Sequence, residues 1–103
     1  MSRADVRRLL VAYDIPADAR RSRLAKALSA YGDRVQYSVF VVDAAPVRIA
    51  RLRRRLEDIM VEEEDSVLMC DLGPATGVAE YRFTTLGRQR AITHADSSSS
   101  EVA

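Results

Sequence analysis

An aspartate stands at the end of an apolar run near the start of the chain. Residues 9–15 read LLVAYDI, so Asp14 follows five residues that suit a buried strand. A buried carboxylate without a partner costs several kcal/mol. Asp14 is therefore expected to be neutralised, hydrogen-bonded, or placed where the strand emerges at a surface that uses its charge.

The arginines are the second set of side chains with a chemical signature, and they are concentrated in the first half of the chain. Residues 1–55 carry twelve Arg and one Lys against five acidic residues, a net charge of +8, whereas residues 56–103 carry three Arg against ten acidic residues, a net charge of −7. The planar guanidinium group suits bidentate contact with phosphate. The asymmetry of charge favours nucleic acid as a partner. The alternative is that the arginines are ordinary solvent-exposed residues on helices.

Other features limit the class of protein. With 103 residues and 48% hydrophobic residues, the chain is expected to form one globular domain. Its apolar runs are far shorter than the roughly 18 residues of a membrane span, and the start MSRADVRR lacks the apolar core of a signal peptide. These observations predict a soluble, cytoplasmic protein with no membrane partner. Cys70, within VLMC, is predicted to be a small buried hydrophobic residue, and His94 has no neighbour at zinc spacing.

Hydrophobic patterns predict the elements that must position these residues. Residues 6–14 read as a strand with Leu9, Val11 and Tyr13 on one face and Asp14 on the other. A helix follows, with Asp18 as its N-cap, an end near Tyr31 and Gly32 as its stop signal. Residues 34–43 suit one long strand or two short ones, Pro46 opens a second helix, and residues 66–73 suit a further strand.

The order of these elements predicts an α+β fold of the ferredoxin-like βαββαβ type, in which two helices cover one face of an antiparallel sheet. The other face would be bare, and a homodimer would cover it. Residues 79–87 suit an extra C-terminal strand that joins an edge of its own sheet or of the partner's. We therefore predict a domain over residues 1–87 and a mostly disordered tail over residues 88–103.

Three segments together resemble the CRISPR-associated protein two family: AYDI, ARRSRLAKALSAYG and DRVQYSVF, in this order and at this spacing. The resemblance extends over residues 7–86. It implies a ferredoxin-like homodimer with magnesium-dependent endonuclease activity on RNA or duplex DNA in some members. It also implies a place in the spacer-acquisition complex, beside the CRISPR integrase protein.

The resemblance also implies a role for Asp14 as catalytic residue and metal ligand. If a twofold axis runs near the ends of the first strands, the two Asp14 carboxylates face each other and either share a proton or bind a cation. Mg²⁺, or Mn²⁺ in its place, suits such a site because it takes one or two carboxylates and keeps several waters. The alternative is that Asp14 only ends the strand and caps the turn that follows.

Further residues are predicted to contact nucleic acid or to support the site. By resemblance, Arg21, Arg23 and Arg34 match positions tied to activity or substrate contact, although Arg21 and Arg23 could also be ordinary exposed helix residues. Tyr13 and Phe40 are supporting residues that could equally be core aromatics. On the second helix, Arg48, Arg51 and Arg55 share one flank that could follow a duplex backbone.

Several functions remain compatible with these residues. The first is a metal-dependent endonuclease, and the second is a non-catalytic DNA-binding scaffold that bridges integrase subunits. A ribonuclease toxin of the same fold is a weaker alternative, and a small-molecule regulatory module is disfavoured because the chain has no glycine-rich ligand loop.

Overall fold

Four strands and two helices alternate along the part of the chain that the computed structural model describes, residues 5–75 and 84–88. In chain order they are β1 (Arg7–Asp14), α1 (Asp18–Ser29), β2 (Gly32–Gln36), β3 (Val39–Ala44), α2 (Pro46–Ile59) and β4 (Ser66–Pro74). The predicted order is confirmed, and the stretch 34–43 is divided between two strands. No helix in these residues is long and apolar enough to cross a membrane.

The strands form one antiparallel sheet in the order β2-β3-β1-β4. The first strand in the sequence is therefore central, with β3 on one side and β4 on the other. Both helices pack on the same face of this sheet, because α1 and α2 contribute buried leucines to one core cluster with β1 and β3. This arrangement confirms the predicted α+β fold class.

The alternation along β1 decides which side chains enter the core. Leu9, Val11 and Tyr13 share one face, as predicted, and this face is buried beneath the helices. From the helices, Leu24 and Leu28 of α1 meet Leu52, Leu56 and Ile59 of α2. Successive strand residues point to opposite faces of a sheet, so the side chains of Leu10, Ala12 and Asp14 lie on the face away from the helices.

That second face is apolar, and it is not exposed throughout, because Val41 of β3, opposite Leu10, is buried on it. Its part along β4 and the end of β1, hereafter the uncovered face, is exposed. Leu68 is 59% exposed and Leu72 is 46% exposed. Cys70 lies between them and is also exposed, so its predicted burial is wrong for a single chain. The run VLMC is apolar at every position, which hides the fact that only its alternate residues face the helices.

Gly32 has a different function from the predicted one. The helix α1 ends at Ser29 with Ala30 as its C-cap, and Gly32 is the first residue of β2. A Cβ atom at Gly32 would lie 2.2 Å from the backbone oxygen of Val41 in β3. Gly32 is thus required by the close approach of two backbones rather than by a left-handed helix terminus.

The predicted N-cap of α1 is wrong, whereas the predicted start of α2 is right. Ala17 occupies the N-cap position and makes no side-chain hydrogen bond, and Asp18 is the first helical residue. The carboxylate of Asp18 accepts a hydrogen bond from Arg21 instead. Pro46 is the first residue of α2, where its missing N–H leaves no hydrogen bond unmade.

The C-terminal predictions are only partly open to comparison. Of the predicted strand 79–87, residues 79–83 lie outside the described residues, and residues 84–87 are not in a strand. Of the predicted tail 88–103, only Arg88 is described. The division at residue 87 therefore stays a prediction.

A charged cluster connects the first turn of α1 to the loop before β4. Arg20 donates to Asp65 from Nε at 2.6 Å and from Nη2 at 3.0 Å, and it also pairs with Glu64 at 2.9 Å. The Asp65 side chain is fully buried and accepts a further hydrogen bond from the Val61 N–H at 2.8 Å. The Arg20 guanidinium, helped by Val61, lowers the pKa of Asp65 below its usual value despite burial.

The variant Asp65→Asn should lower the melting temperature by roughly 10 °C at pH 7, because it leaves Arg20 without its main partner. A carboxyl group whose pKa is lowered by folding stabilises the protein above its unfolded pKa of about 4 and loses that contribution as pH falls through the folded pKa. The difference in melting temperature between wild type and variant should therefore shrink below about pH 4 in calorimetric scans. A constant difference down to pH 2 would contradict this assignment.

Candidate functional site

The strand β1 ends at Asp14 and brings its carboxylate to the rim of the sheet. Its Cα partner in β4 is Ser66, and its neighbour Tyr13 is buried on the helix side. The Asp14 side chain therefore lies on the uncovered face, where it is exposed. It makes no hydrogen bond or ion pair with any residue that the structure describes, so the carboxylate is available to an external ligand.

Asp14 alone could not hold a metal ion firmly. In residues 5–75 and 84–88, no three His, Cys, Asp or Glu side chains lie close enough together to form a metal site. A hard divalent cation such as Mg²⁺ accepts one or two carboxylates and completes its shell with water and phosphate oxygens. The donor set thus fits such an ion once a second carboxylate is supplied from outside the chain.

Tyr13 and Phe40 lie on the opposite side of the sheet and belong to the core. Their ring centroids are 6.4 Å apart. The Tyr13 hydroxyl donates to the carbonyl oxygen of Tyr37 and accepts from Arg34 Nη2, both at 3.3 Å. These bonds, with the Tyr13 N–H donating to the Ser38 carbonyl oxygen at 3.1 Å, fix the β2–β3 turn against the end of β1.

Arg34 is held among aromatic rings instead of carboxylates. Its guanidinium carbon lies 5.2 Å from the centroid of the Phe40 ring and 5.8 Å from that of Tyr37. Its Nε atom is buried and has no hydrogen-bond partner among the described residues. A buried N–H without an acceptor is unusual in folded proteins and calls for a physical explanation.

Arg21 lies near Arg34 on the facing helix. Its Nη1 donates to the Ile15 carbonyl oxygen at 2.9 Å, and its Nη2 donates to Asp18. The Asp18 carboxylate raises the pKa of Arg21, so the guanidinium stays charged. Arg23, two residues on, is exposed and lies outside the cavity described next.

A cavity of about 420 Å³, hereafter the α1 cavity, lies between α1 and the β2–β3 turn. Its lining residues are Tyr13, Arg21, Ser22, Ala25, Lys26, Ser29, Arg34 and Tyr37. It unites three predicted residues, Tyr13, Arg21 and Arg34, with Lys26 and Tyr37, which the sequence did not point to. An exposed lysine on a helix and a tyrosine in a turn give no signal until the turn is folded against the helix.

The predicted arginines of α2 form a third surface. Arg51 and Arg55 are exposed and make no ion pair with any described residue. Arg48 differs, since its guanidinium lies 4.5 Å from the Tyr31 ring centroid and Nη2 donates to the Ala30 carbonyl oxygen at 3.4 Å. Arg51 also borders a groove of about 870 Å³ between α2 and the strands β1 and β4. Most predicted site residues thus separate into Asp14, the α1 cavity and the α2 surface, which consists of Arg48, Arg51 and Arg55. Arg23 lies outside these groups, and Phe40 belongs to the core.

Comparisons with known proteins agree on one family. The family model described as "CRISPR associated protein Cas2" matches residues 7–76. A CRISPR-associated endoribonuclease Cas2 from Thermus thermophilus is 39% identical over 82 residues, which cover 80% of this chain and 87% of that protein. A protein of the same description from Geobacter sulfurreducens is 38% identical over 79 residues, 77% of this chain and 82% of the relative.

Solved structures show the same similarity. The crystal structure of a hypothetical protein from Thermus thermophilus superposes with a TM-score of 0.66 at 35% identity, covering 85% of this chain and 99% of the other. The crystal structure of Streptococcus pyogenes Cas2 superposes with a TM-score of 0.61 at 34% identity, covering 64% of this chain and 86% of the other.

Proposed function

The chain belongs to the CRISPR associated protein Cas2 family, and from this premise we propose that it is a metal-dependent endonuclease. Its relatives carry the name endoribonuclease, so RNA is the first substrate to test and duplex DNA the second. The observation that supports the proposal is the carboxylate of Asp14, which is exposed at the end of β1 on the uncovered face.

The catalytic unit of this proposal is a homodimer. The uncovered face presents the exposed side chains of Leu68 and Cys70 on the same side of the sheet as Asp14, and the exposed Leu72 follows them at the bulge of β4. Water contact with such a row is unfavourable, and a second copy of the same sheet is a matching apolar surface. A twofold axis over this face brings the two Asp14 side chains toward each other across the interface.

Such a pair of carboxylates supplies the ligands that one chain lacks. Two negative charges at short distance are unfavourable unless a proton or a cation lies between them. Mg²⁺, or Mn²⁺ in its place, would lower the pKa of a bound water and polarise a phosphodiester. The role of Asp14 is to hold the ion, while its exposure leaves room for the phosphate of the substrate.

The direct test is cleavage of labelled single-stranded RNA and duplex DNA by the purified full chain. Activity should appear with Mg²⁺ or Mn²⁺ and disappear on chelation, and it should depend on Asp14 as argued in the Discussion. Cleavage that persists in chelator would contradict the metal-dependent mechanism.

A second function is favoured by the α2 surface, namely a DNA-binding scaffold in the spacer-acquisition complex beside the integrase. Arg51 and Arg55 occupy exposed positions of one helix, and neither is paired with an acidic side chain among the described residues. Such side chains contact phosphates without reading bases, and a dimer would present the surface twice. This function needs no cleavage and is compatible with the first.

Duplex DNA affinity should therefore fall steeply with salt. The variants Arg51→Gln and Arg55→Gln should each flatten the plot of log affinity against log salt by about one unit for every phosphate group that the variant no longer binds. The measurement is fluorescence anisotropy between 50 and 300 mM salt, roughly the range in which the effect is largest. Arg53→Gln is the matched control on the same helix, because Arg53 is paired with Glu57 at 3.2 Å. Equal slopes for wild type and the Arg51 and Arg55 variants would exclude this surface as the binding track.

A further inference from the structure

The α1 cavity has the composition of an anion site. Arg21, Lys26 and Arg34 contribute three positive charges, and none of its lining side chains among the described residues is acidic. Asp18 offsets one of these charges through its bond to Arg21, which leaves an excess of about two. The hydroxyl groups of Ser22 and Ser29 add neutral polar groups to the wall.

Most hydrogen-bond donors of the Arg34 guanidinium are unused within the described residues. Its guanidinium group makes one hydrogen bond with the described residues, from Nη2 to the Tyr13 hydroxyl, and its Nε has no acceptor among them. A guanidinium group carries five N–H donors, and an unpaired buried donor is costly. An anion that entered the cavity would supply acceptors that the protein itself does not provide.

Tyr37 gives the cavity an aromatic wall. The residue is 53% exposed, its carbonyl oxygen accepts from Tyr13, and its side chain forms a hydrogen bond with Arg21. The ring is positioned near the Arg34 guanidinium, 5.8 Å from its centroid. A partly exposed ring beside a cation cluster is the arrangement on which nucleic-acid-binding proteins stack an unpaired base.

We infer that the α1 cavity binds a nucleoside monophosphate group, with the phosphate at Lys26, Arg21 and Arg34 and the base against Tyr37. Lys26 and Arg34 would contact the phosphate as charge-assisted donors. The volume of about 420 Å³ accommodates one nucleotide and not a duplex. The group could come from a free mononucleotide or from the phosphorylated end of a single strand.

This site is distinct from the Asp14 site. Tyr13 contributes to the α1 cavity from the helix side of the sheet, whereas Asp14, the next residue, lies on the uncovered face. The inference rests on the proposal that the chain binds nucleic acid, but it does not rest on metal binding or cleavage. Nucleotide binding in the presence of chelator is therefore a separate test.

The experiment is a titration of the ¹⁵N-labelled full chain with AMP in chelator, followed by NMR, with inorganic phosphate as the simpler probe. AMP should shift the amide signals of Lys26 and Tyr37 and leave those of α2 unchanged. The variants Lys26→Gln and Tyr37→Ala should weaken AMP binding by at least about threefold and fivefold, because they remove a phosphate contact and a stacking surface. Arg54→Gln is the charge-matched control on α2 and should change AMP binding by less than about twofold.

Short single strands with a 5′-phosphate or a 5′-hydroxyl group then identify the source of the ligand. A phosphorylated strand that binds more tightly than AMP and is displaced by it assigns the cavity to strand ends, whereas tighter binding of AMP assigns it to free nucleotides. The inference is overturned if AMP shifts no cavity signals, if phosphate alone binds as tightly as AMP, or if Tyr37→Ala or Lys26→Gln binds AMP as the wild type does. Asp14→Asn should bind AMP unchanged, so loss of cleavage and loss of nucleotide binding are separable.

Discussion

Replacing Asp14 with asparagine is expected to reduce metal-dependent cleavage of RNA or duplex DNA by at least about 100-fold. Asparagine preserves the size of the side chain and removes the negative charge that holds a divalent cation. The two chains of the proposed homodimer are identical, so this one substitution removes both Asp14 carboxylates. The measurement is the initial cleavage rate at saturating Mg²⁺ and Mn²⁺.

The fold and the dimer should survive this change. The Asp14 side chain is exposed and makes no hydrogen bond or ion pair with a described residue, and removing two like charges across an interface relieves repulsion. Asp58→Asn is the control, because Asp58 is also an exposed carboxylate but lies on α2. If Asp14→Asn cleaves as fast as wild type and Asp58→Asn, the Asp14 pair is not the catalytic site, and Asp14 returns to the role of a residue that ends a strand.

Replacing Leu68 with aspartate is expected to weaken the homodimer by at least about 100-fold and to abolish cleavage with it. Leu68 is 59% exposed in the single chain, and in the proposed dimer it is covered by the partner's sheet. An aspartate at this position would place two charges in an apolar interface. Light scattering or sedimentation should show a monomer of 11.5 kDa at concentrations where wild type is dimeric.

Val47→Asp provides the matched control for this experiment. Val47 is 54% exposed, but it lies on α2, in the helix layer. It should leave both the dimer and the cleavage rate unchanged. A Leu68→Asp protein that stays dimeric would show that the interface lies elsewhere, and a monomeric variant that still cleaves would show that one Asp14 is sufficient.

The sequence predicts the parts of the fold that depend on local periodicity. The alternation along β1 placed Leu9, Val11 and Tyr13 on one face, which the helices bury, and Pro46 marked the start of α2. The prediction for Cys70 is wrong because an apolar run without alternation does not show which of its residues face the helices. Gly32 was misjudged because its close approach to Val41 depends on the pairing of β2 with β3.

The sequence draws attention to single residues but does not supply their surroundings. The place of Asp14 at the end of an apolar strand raises the question of its role, whereas its assignment as catalytic residue and metal ligand comes from the family resemblance and stays a prediction. The surroundings of Arg34 depend on Tyr13, which is 21 residues away in the sequence, and the pair of Arg20 with Asp65 spans 45 residues. Such contacts are created by tertiary packing, which a single sequence does not encode in its periodicity.

The central place of β1 in the sheet also determines when the sheet can be fully paired during synthesis. One edge of β1 pairs with β3, but its other edge waits for β4, with Arg7 opposite Pro74. The ribosome must therefore release nearly three quarters of the chain before the first strand that it made is paired on both sides. Until then the open edge of β1 is a template for pairing with other nascent chains. On polysomes, copies of the chain are close together. The open edge of β1 could then pair with the wrong chain, whereas the uncovered face could form the dimer early, and both surfaces belong to the same sheet.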